Sequence, residues 1–276
     1  MGWQAHLRVD YRRDGDTTRA LDRHEGPLRV LRSLYPEGPG VCHQVLVHPP
    51  GGLVGGDTLD LTLKLGAGSH ALLTTPGATR FYRSQGETAL QRVQATLADG
   101  ARLEWLPQET LAHAGCLAEN RMQFDLAPGA QMLGWDVLAL GLPASGQPFD
   151  RGRYAQRIAV TGTWLEQGVI DAGDRLLLDS PLGLAGQGVL ATLWLASGSA
   201  WGAELRSTAL DAARAEMASH ELAATAGATS PQPGLLLLRV LAQRVEPALG
   251  LLRQVRLAWR RLAWGLEAAE PRVWRT

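Results

Sequence analysis

Net charge of either sign is missing: 27 basic side chains meet 27 acidic ones in a chain of 276 residues. That gives no support for nucleic acid or an anionic membrane as the main partner, and leaves only local patches to consider. It also removes the self-repulsion that keeps chains apart, which favours a life bound to other proteins. Cysteine is scarce, with Cys42 and Cys116 the only two, too few for a disulfide framework and in keeping with reduced thiols. No apolar run approaches membrane-spanning length, and Met1 to Asp10 contains no apolar signal core. The Met1-Gly2 start lacks the usual Ser or Thr of a myristoylation signal, His6 standing in its place. A cytoplasmic chain with neither membrane nor nucleic acid as partner is expected. Tyrosine and phenylalanine are few, four and three, against nine tryptophans, so part of the aromatic surface is expected to serve interfaces as well as core.

The motifs of common catalytic sites are missing too. Gly66-Ala67-Gly68-Ser69-His70-Ala71 has the glycine spacing of a dinucleotide fingerprint. It is followed by Leu72-Leu73-Thr74-Thr75-Pro76 instead of the helix whose N-terminus would carry the pyrophosphate. The glycines from Gly51 to Gly56 lack the Gly-Lys-Ser/Thr of a phosphate-binding loop, and no Gly-x-Ser-x-Gly elbow exists. Cys42 and His43, adjacent on a strand, point to opposite faces and suit neither nucleophile nor base. Two cysteines and seven scattered histidines do not make a structural zinc site. His48, Asp57, Glu109 and Glu166 are polar residues beside apolar or glycine-rich segments, where satisfying buried backbone groups is the plainer role for each.

What is present is β pattern. Leu59, Leu61, Leu63 and Leu65 alternate with Thr58, Asp60, Thr62 and Lys64. Ala89, Val93, Ala95 and Leu97 share one face of the next such segment, and Met122, Phe124 and Leu126 one face of a third. The three segments end alike, in Leu65-Gly66-Ala67-Gly68, Leu97-Ala98-Asp99-Gly100 and Leu126-Ala127-Pro128-Gly129, each followed by a small residue and a second apolar strand. A strand-turn-strand unit recurring at this spacing predicts stacked β layers, solenoid-like; three ordinary hairpins in a sandwich are the alternative. Loose alternation from Leu7 to Arg13, the segment Pro27 to Tyr35, and Leu235 to Leu241 read as further strands. Between two strands lies Val41 to Asp57, whose core His48-Pro49-Pro50-Gly51-Gly52-Leu53-Val54-Gly55-Gly56-Asp57 holds more turn residues than a hairpin needs. Either that turn is functional or it carries the chain across a crowded place.

Helix is expected late. Ser207 is a candidate N-cap for the alanine-rich segment up to Ala226. Ala248, Leu252, Val255, Trp259, Leu262 and Leu266 recur at helical spacing, with Arg253, Arg256, Arg260 and Arg261 on the other face. That basic face reads as solvated or as a docking surface for a helical partner. The expected whole is one mainly β domain over residues 1–276, a β-helix-like solenoid stack with a few C-terminal α-helices. Its β-rich body covers about 1–206 and 234–241, and its helical elements about 207–226 and 247–268.

Several blocks resemble the UreD (UreH) family of urease accessory proteins: Tyr35-Pro36-Glu37-Gly38, His48 to Asp57, Leu73 to Thr79, Tyr82-Arg83-Ser84, Glu104 to Thr110 and Gly134 to Gly141. The resemblance continues through Ala144 to Phe149, Ser180 to Gly186 and Pro271-Arg272-Val273-Trp274, and so spans nearly the whole chain. It implies a non-enzymatic maturation scaffold that binds apo-urease and UreF, and through UreF the nickel-carrying GTPase UreG. It also implies a β-helix-like fold and nickel in transit rather than a tightly bound cofactor. Glu37, His48 and Asp57 within those blocks, and Glu166 beside glycine-rich backbone, are candidates for nickel passage, since weak oxygen or imidazole ligands let an ion move on. Arg253, Arg256, Arg260 and Trp274 are candidates for a partner interface. The chain departs from the family pattern at His113-Ala114, at Leu142 and at Gln147. The competing expectation is a β-solenoid enzyme acting on a carbohydrate or small metabolite, which would need paired carboxylates on one face.

Overall fold

The computed structural model describes residues 2–267 and 270–275. In its first half the strands are β1 (Gln4–Asp14), β2 (Thr17–Glu25), β3 (Arg29–Val30), β4 (Val41–Val47), β5 (Thr58–Leu65), β6 (His70–Thr74), β7 (Thr79–Phe81), β8 (Ala89–Leu97), β9 (Arg102–Leu106) and β10 (Thr110–Ala112). Then come β11 (Leu117–Leu126), β12 (Gln131–Leu140), β13 (Arg153–Val160), β14 (Trp164–Asp171), β15 (Val189–Ser197), β16 (Ala226–Gln232) and β17 (Leu235–Ala242). Three α-helices are interspersed: α1 (Arg175–Asp179), α2 (Ala203–Ala218) and α3 (Val245–Trp264).

From β4 to β13 the chain passes back and forth between two sheets. One is seven-stranded, in the order β14-β13-β11-β8-β5-β1-β2; the other is ten-stranded, with β16-β17-β15-β12-β9-β6-β4-β3 as its main path. Consecutive coils add parallel strands to each sheet, β5-β8-β11-β13 on the first and β4-β6-β9-β12 on the second. This is the solenoid expected from the repeated unit. The hairpin alternative fails because those neighbours are parallel, and a tight turn cannot join parallel strands. Antiparallel β2, β14 and β15 to β17 flank the parallel regions.

The repeated turns are the corners of the coils. Gly68, Gly100 and Gly129 have φ of +65°, +65° and +80°, a conformation that costs glycine nothing and other residues about 1 kcal/mol or more. The corners stack through backbone bonds: Ala98 N–H to Leu65 C=O at 2.9 Å, and Ala127 N–H to Leu97 C=O at 2.9 Å. The glycine-rich block after β4 carries the chain from the second sheet to the first. Leu53 is fully buried and bridges Phe81, while a side chain at Gly52 or Gly55 would collide with Tyr82 or Ser84 of the next coil. Asp57 ends the block as a buried cap, accepting from Trp3 N–H at 2.7 Å and Val54 N–H at 2.9 Å. Crowding accounts for Gly52 and Gly55.

Inward residues of both sheets, among them Leu61, Leu63, Met122, Phe124, Met132 and Trp194, form one apolar core. Outward residues of the second sheet form another with α2 and α3, including Trp135, Leu193, Leu238, Leu252 and Trp259. In the first core, Gly134 faces Trp194 across the β12–β15 pair, and an added methyl would lie 2.5 Å from the indole. Trp194 has no room to yield, being fully buried against Phe124 and Trp164 at centroid distances of 5.9 and 5.6 Å. Gly134→Ala is therefore expected to lower stability by about 1–3 kcal/mol, read from the midpoint of urea unfolding.

Helix boundaries differ from the sequence expectation. α2 begins after Gly202, not at a Ser207 cap, and it stops at Ala218. The expected helix reached 226, but past Ala218 the Ser219 hydroxyl donates to Glu216 C=O at 3.1 Å and His220 Nδ1 accepts from Leu222 N–H at 3.2 Å, local bonds that compete with the helix. Ala226 already opens β16, paired with β17. α3 runs from Val245, with Pro247 in its first turn, to Trp264. Gly265 closes it in the left-handed conformation, its N–H bonded to Arg261 C=O at 2.9 Å, a frequent stop signal. The last residue of the expected helix, 268, lies outside the described residues, as does Met1. Of Pro27–Tyr35 only Arg29–Val30 is strand. The short α1, capped by Asp174 on Leu177 N–H at 3.0 Å, interrupts the β body. Among the described residues no helix is long and apolar enough to cross a membrane.

Candidate functional site

The space between the sheets is largely apolar; besides the buried Tyr11–Gln44 hydrogen bond, it holds one level at which polar side chains stand in register. On the first sheet, the Cα pairing places Gln91 beside Asn120, Asn120 beside Gln156 and Gln156 beside Gly168. On the second, Asp136 pairs with Thr192 and Thr192 with Arg239. Each occupies the inward phase of its strand, two residues from apolar neighbours such as Met122, Ile158, Leu138 and Leu237.

Hydrogen bonds join the two rows. Gln91 Nε2 donates to Asn120 Oδ1 at 3.3 Å, and Asn120 Nδ2 to Asp136 Oδ1 at 3.4 Å. Gln156 Nε2 donates to Asp136 Oδ2. Burial pushes the Asp136 carboxyl up to about 7, the Gln156 hydrogen bond opposes the rise, and the neighbouring Glu166 charge adds to it. Glu166, one rung from Gly168, pairs with Arg239 of the facing sheet. Burial raises the Glu166 carboxyl above its ordinary range, and the Arg239 charge counters it.

At its other end the row meets a cavity of about 330 Å³, lined by Gln91, His48 and apolar side chains of both sheets, including Leu46, Leu59, Leu61 and Trp105. Among the described residues, His48 Nε2 and Trp105 Nε1 are buried there without a hydrogen-bond partner. Burial lowers the His48 pKa, with Asp57 acting weakly against it, so the imidazole is held neutral and keeps a lone pair for a cation or a donor. Among the described residues no three His, Cys, Asp or Glu side chains gather as a metal-holding group. The row thus offers amide and carboxylate oxygens singly and in pairs, and of its amides Gln91 is the one that lines the cavity.

Of the four side chains expected along a passage, His48 stands at the cavity end and Glu166 at the far edge. Glu37 and Asp57 lie elsewhere. Asp57 is the cap already described, and both oxygens of Glu37 are engaged, by His43 at 2.7 Å and Arg260 at 2.6 Å. Sequence reasoning missed Asp136, Asn120, Gln156 and Gln91. Each carried a signal: a polar residue at the apolar phase of an otherwise regular strand, and in Asp136 the one charge in the run Leu133 to Leu140.

A second polar cluster lies under α3, on the outer face of the ten-stranded sheet. Glu104 accepts from Arg256 at 2.5 and 3.0 Å, from Arg260 at 3.0 Å and from His70 at 3.1 Å, and Arg260 continues to Glu37. Burial works against ionising Glu104, but Arg256, His70 and Arg260 outweigh it and hold the carboxyl far below its usual range. Burial also lowers the His70 pKa. The neutral ring therefore presents Nε2–H to an acceptor-only carboxylate. This corrects the reading of the basic helix face: Arg256 and Arg260 are fully buried and cannot meet solvent or a partner. Arg253 and Trp274 remain part-exposed, the guanidinium lying 4.7 Å from the indole centroid, and Trp274 is tied back by Nε1–H to Thr74 Oγ1 at 2.7 Å.

Comparison with known proteins bears on the whole chain. The sequence model of a family described as UreD urease accessory protein matches residues 4–275. A protein of Leptothrix cholodnii named urease accessory protein UreD is 59% identical over 278 residues, covering 100% of both chains. Proteins of the same name from Paracidovorax citrulli and Verminephrobacter eiseniae are 60% and 58% identical over 274 residues, with 99% of each chain covered.

Proposed function

The chain belongs to the UreD family of urease accessory proteins, and from that premise we propose that it is a non-enzymatic scaffold for nickel insertion into urease. In this reading it binds apo-urease at one surface and UreF at another, with UreG joining through UreF, and nickel passes between them along the row from the His48 cavity to Glu166. No tightly bound cofactor is required, since nickel is cargo.

The observation that carries the reading is the in-register row of Gln91, Asn120, Gln156 and Asp136 through a largely apolar interior. A core gains nothing in stability from such a row over apolar residues of the same shape. A divalent ion moving between sites needs oxygen groups that bind it weakly enough to release it, and a row of amides with two carboxylates meets that need. The enzyme alternative is less well served. Asp136 is enclosed by amides and Glu166 is held by Arg239, so neither is free beside a substrate-sized space. Arg253 and Trp274 are the C-terminal side chains we assign to partner docking.

The test is urease activation in cells that carry the partner proteins. Asp136→Asn is expected to leave co-purification with UreF, UreG and apo-urease intact while cutting the nickel content of urease at least severalfold, measured by elemental analysis. Unchanged nickel with an intact complex would remove the passage. No association with any of the three partners would remove the scaffold role.

A further inference from the structure

The row ends at an edge where β14 of one sheet faces β17 of the other, and its last position on β14 is Gly168, which has open space where a side chain would stand. Arg239 of β17, at the end of the facing row, reaches across that opening to Glu166. Among the described residues it forms the one ion pair that joins the two sheets. A guanidinium thus sits on the Glu166 carboxylate at the open end of the row.

We propose that Arg239 is a gate, a tethered cation that occupies Glu166 and must swing away before a divalent metal ion can enter or leave the row at this edge. The inference rests on the passage reading above.

Comparison with the cluster under α3 shows why this pair can open. Arg256 and Arg260 are 0% exposed, and their pairing with Glu104 is sealed by α3. The Arg239 side chain is 49% exposed and Glu166 16%. The guanidinium therefore has water to return to, unlike the sealed arginines under α3. A divalent ion carries twice the charge in a smaller volume and can outcompete it once the side chain moves. The carboxylate faces inward, so releasing it supplies an oxygen ligand at the end of the row that already holds Asp136. The gate also gives a reason for the glycine: a side chain at position 168 would fill the opening that Arg239 covers. Arginine suits the role better than lysine, because its planar fork holds a carboxylate firmly yet never loses its charge.

The experiment is isothermal titration of the full chain with Ni²⁺, comparing wild type, Arg239→Gln, Arg239→Lys and the double variant Glu166→Gln/Arg239→Gln. Unfolding midpoints serve as the control for folding. Arg239→Gln is expected to bind Ni²⁺ at least fivefold more tightly than wild type, and the double variant to lose that gain. Arg239→Lys should fall between. A merely structural role for Arg239 predicts equal or weaker binding in Arg239→Gln. That result, or binding undetectable in both proteins, overturns the gate. The nickel content of urease matured with Asp136→Asn separates the two ideas. Depleted nickel there with unchanged affinity in Arg239→Gln removes only the gate; full nickel there removes the passage itself.

Discussion

Glu104→Gln is expected to cost about 3–5 kcal/mol of folding stability, the range for breaking one side of a buried ion pair. The substitution keeps the volume but takes the shared carboxylate from two fully buried guanidiniums; among the described residues Arg260 keeps its pair with Glu37 and Arg256 keeps no ion pair. Because Glu104 lies on β9 and the arginines on α3, the loss is a loss of helix docking. Hydrogen exchange in α3 should accelerate before that of β5, β8 or β11. Adding Arg256→Met to Glu104→Gln should return part of the stability, since the pair is coupled and methionine packs without a charge to satisfy. Urea unfolding of the four-member cycle measures the coupling. A Glu104→Gln protein within about 1 kcal/mol of wild type would show that water reaches the cluster.

The acid dependence of this cluster follows from the depressed Glu104 carboxyl. In the unfolded chain it titrates near 4.3, and in the folded protein far lower. The contribution is therefore complete above the unfolded value and is lost as pH falls towards the folded one.

Asp136→Asn is expected to act in the opposite sense and at higher pH. The folded carboxyl titrates at about 7, the unfolded one near 3.9. Between those values the native state holds more protons than the unfolded state, so wild-type stability falls as pH rises through the window. Asparagine does not titrate. At pH 8 the variant should be more stable than wild type by roughly 2–4 kcal/mol, and near pH 4 the two should converge. Thermal unfolding from pH 4 to 8 reads this directly, and parallel curves for the two proteins would contradict it. The same change that strengthens the fold is expected to stop nickel delivery. Keeping an unfavourable carboxylate in the core would then be a cost accepted for function.

Much of the architecture was legible in the chain. The corner glycines recur because each coil must turn with φ > 0 at one residue, and the alternating leucines mark one buried face per strand. Both are local requirements, and local requirements leave a pattern. The alanine-rich segment ends at Ala218, short of the expected 226, because Ser219 and His220 side chains bond the local backbone, a competition that alanine content does not reveal. The basic face of α3 misled for a related reason: spacing shows which side chains share a face, but not that Glu104 and Glu37, more than 150 residues away in the chain, wait beneath it.

The sequence by itself determined the recurring strand-turn-strand unit and the family blocks, each written in consecutive residues or a fixed repeat, while solenoid against hairpins and crossing against functional turn were decided by the parallel pairing and the packing around Gly52 and Gly55. It also determined that Glu166 and His48 are polar where the surroundings are not. Only the tertiary structure decided what they belong to. Asp136, Asn120, Gln156 and Gln91 become one row because parallel coils place strands distant in sequence at the same level, and Arg239 reaches Glu166 because two sheets meet at an open edge. Register between coils is set by packing across the whole stack, so no single segment contains it.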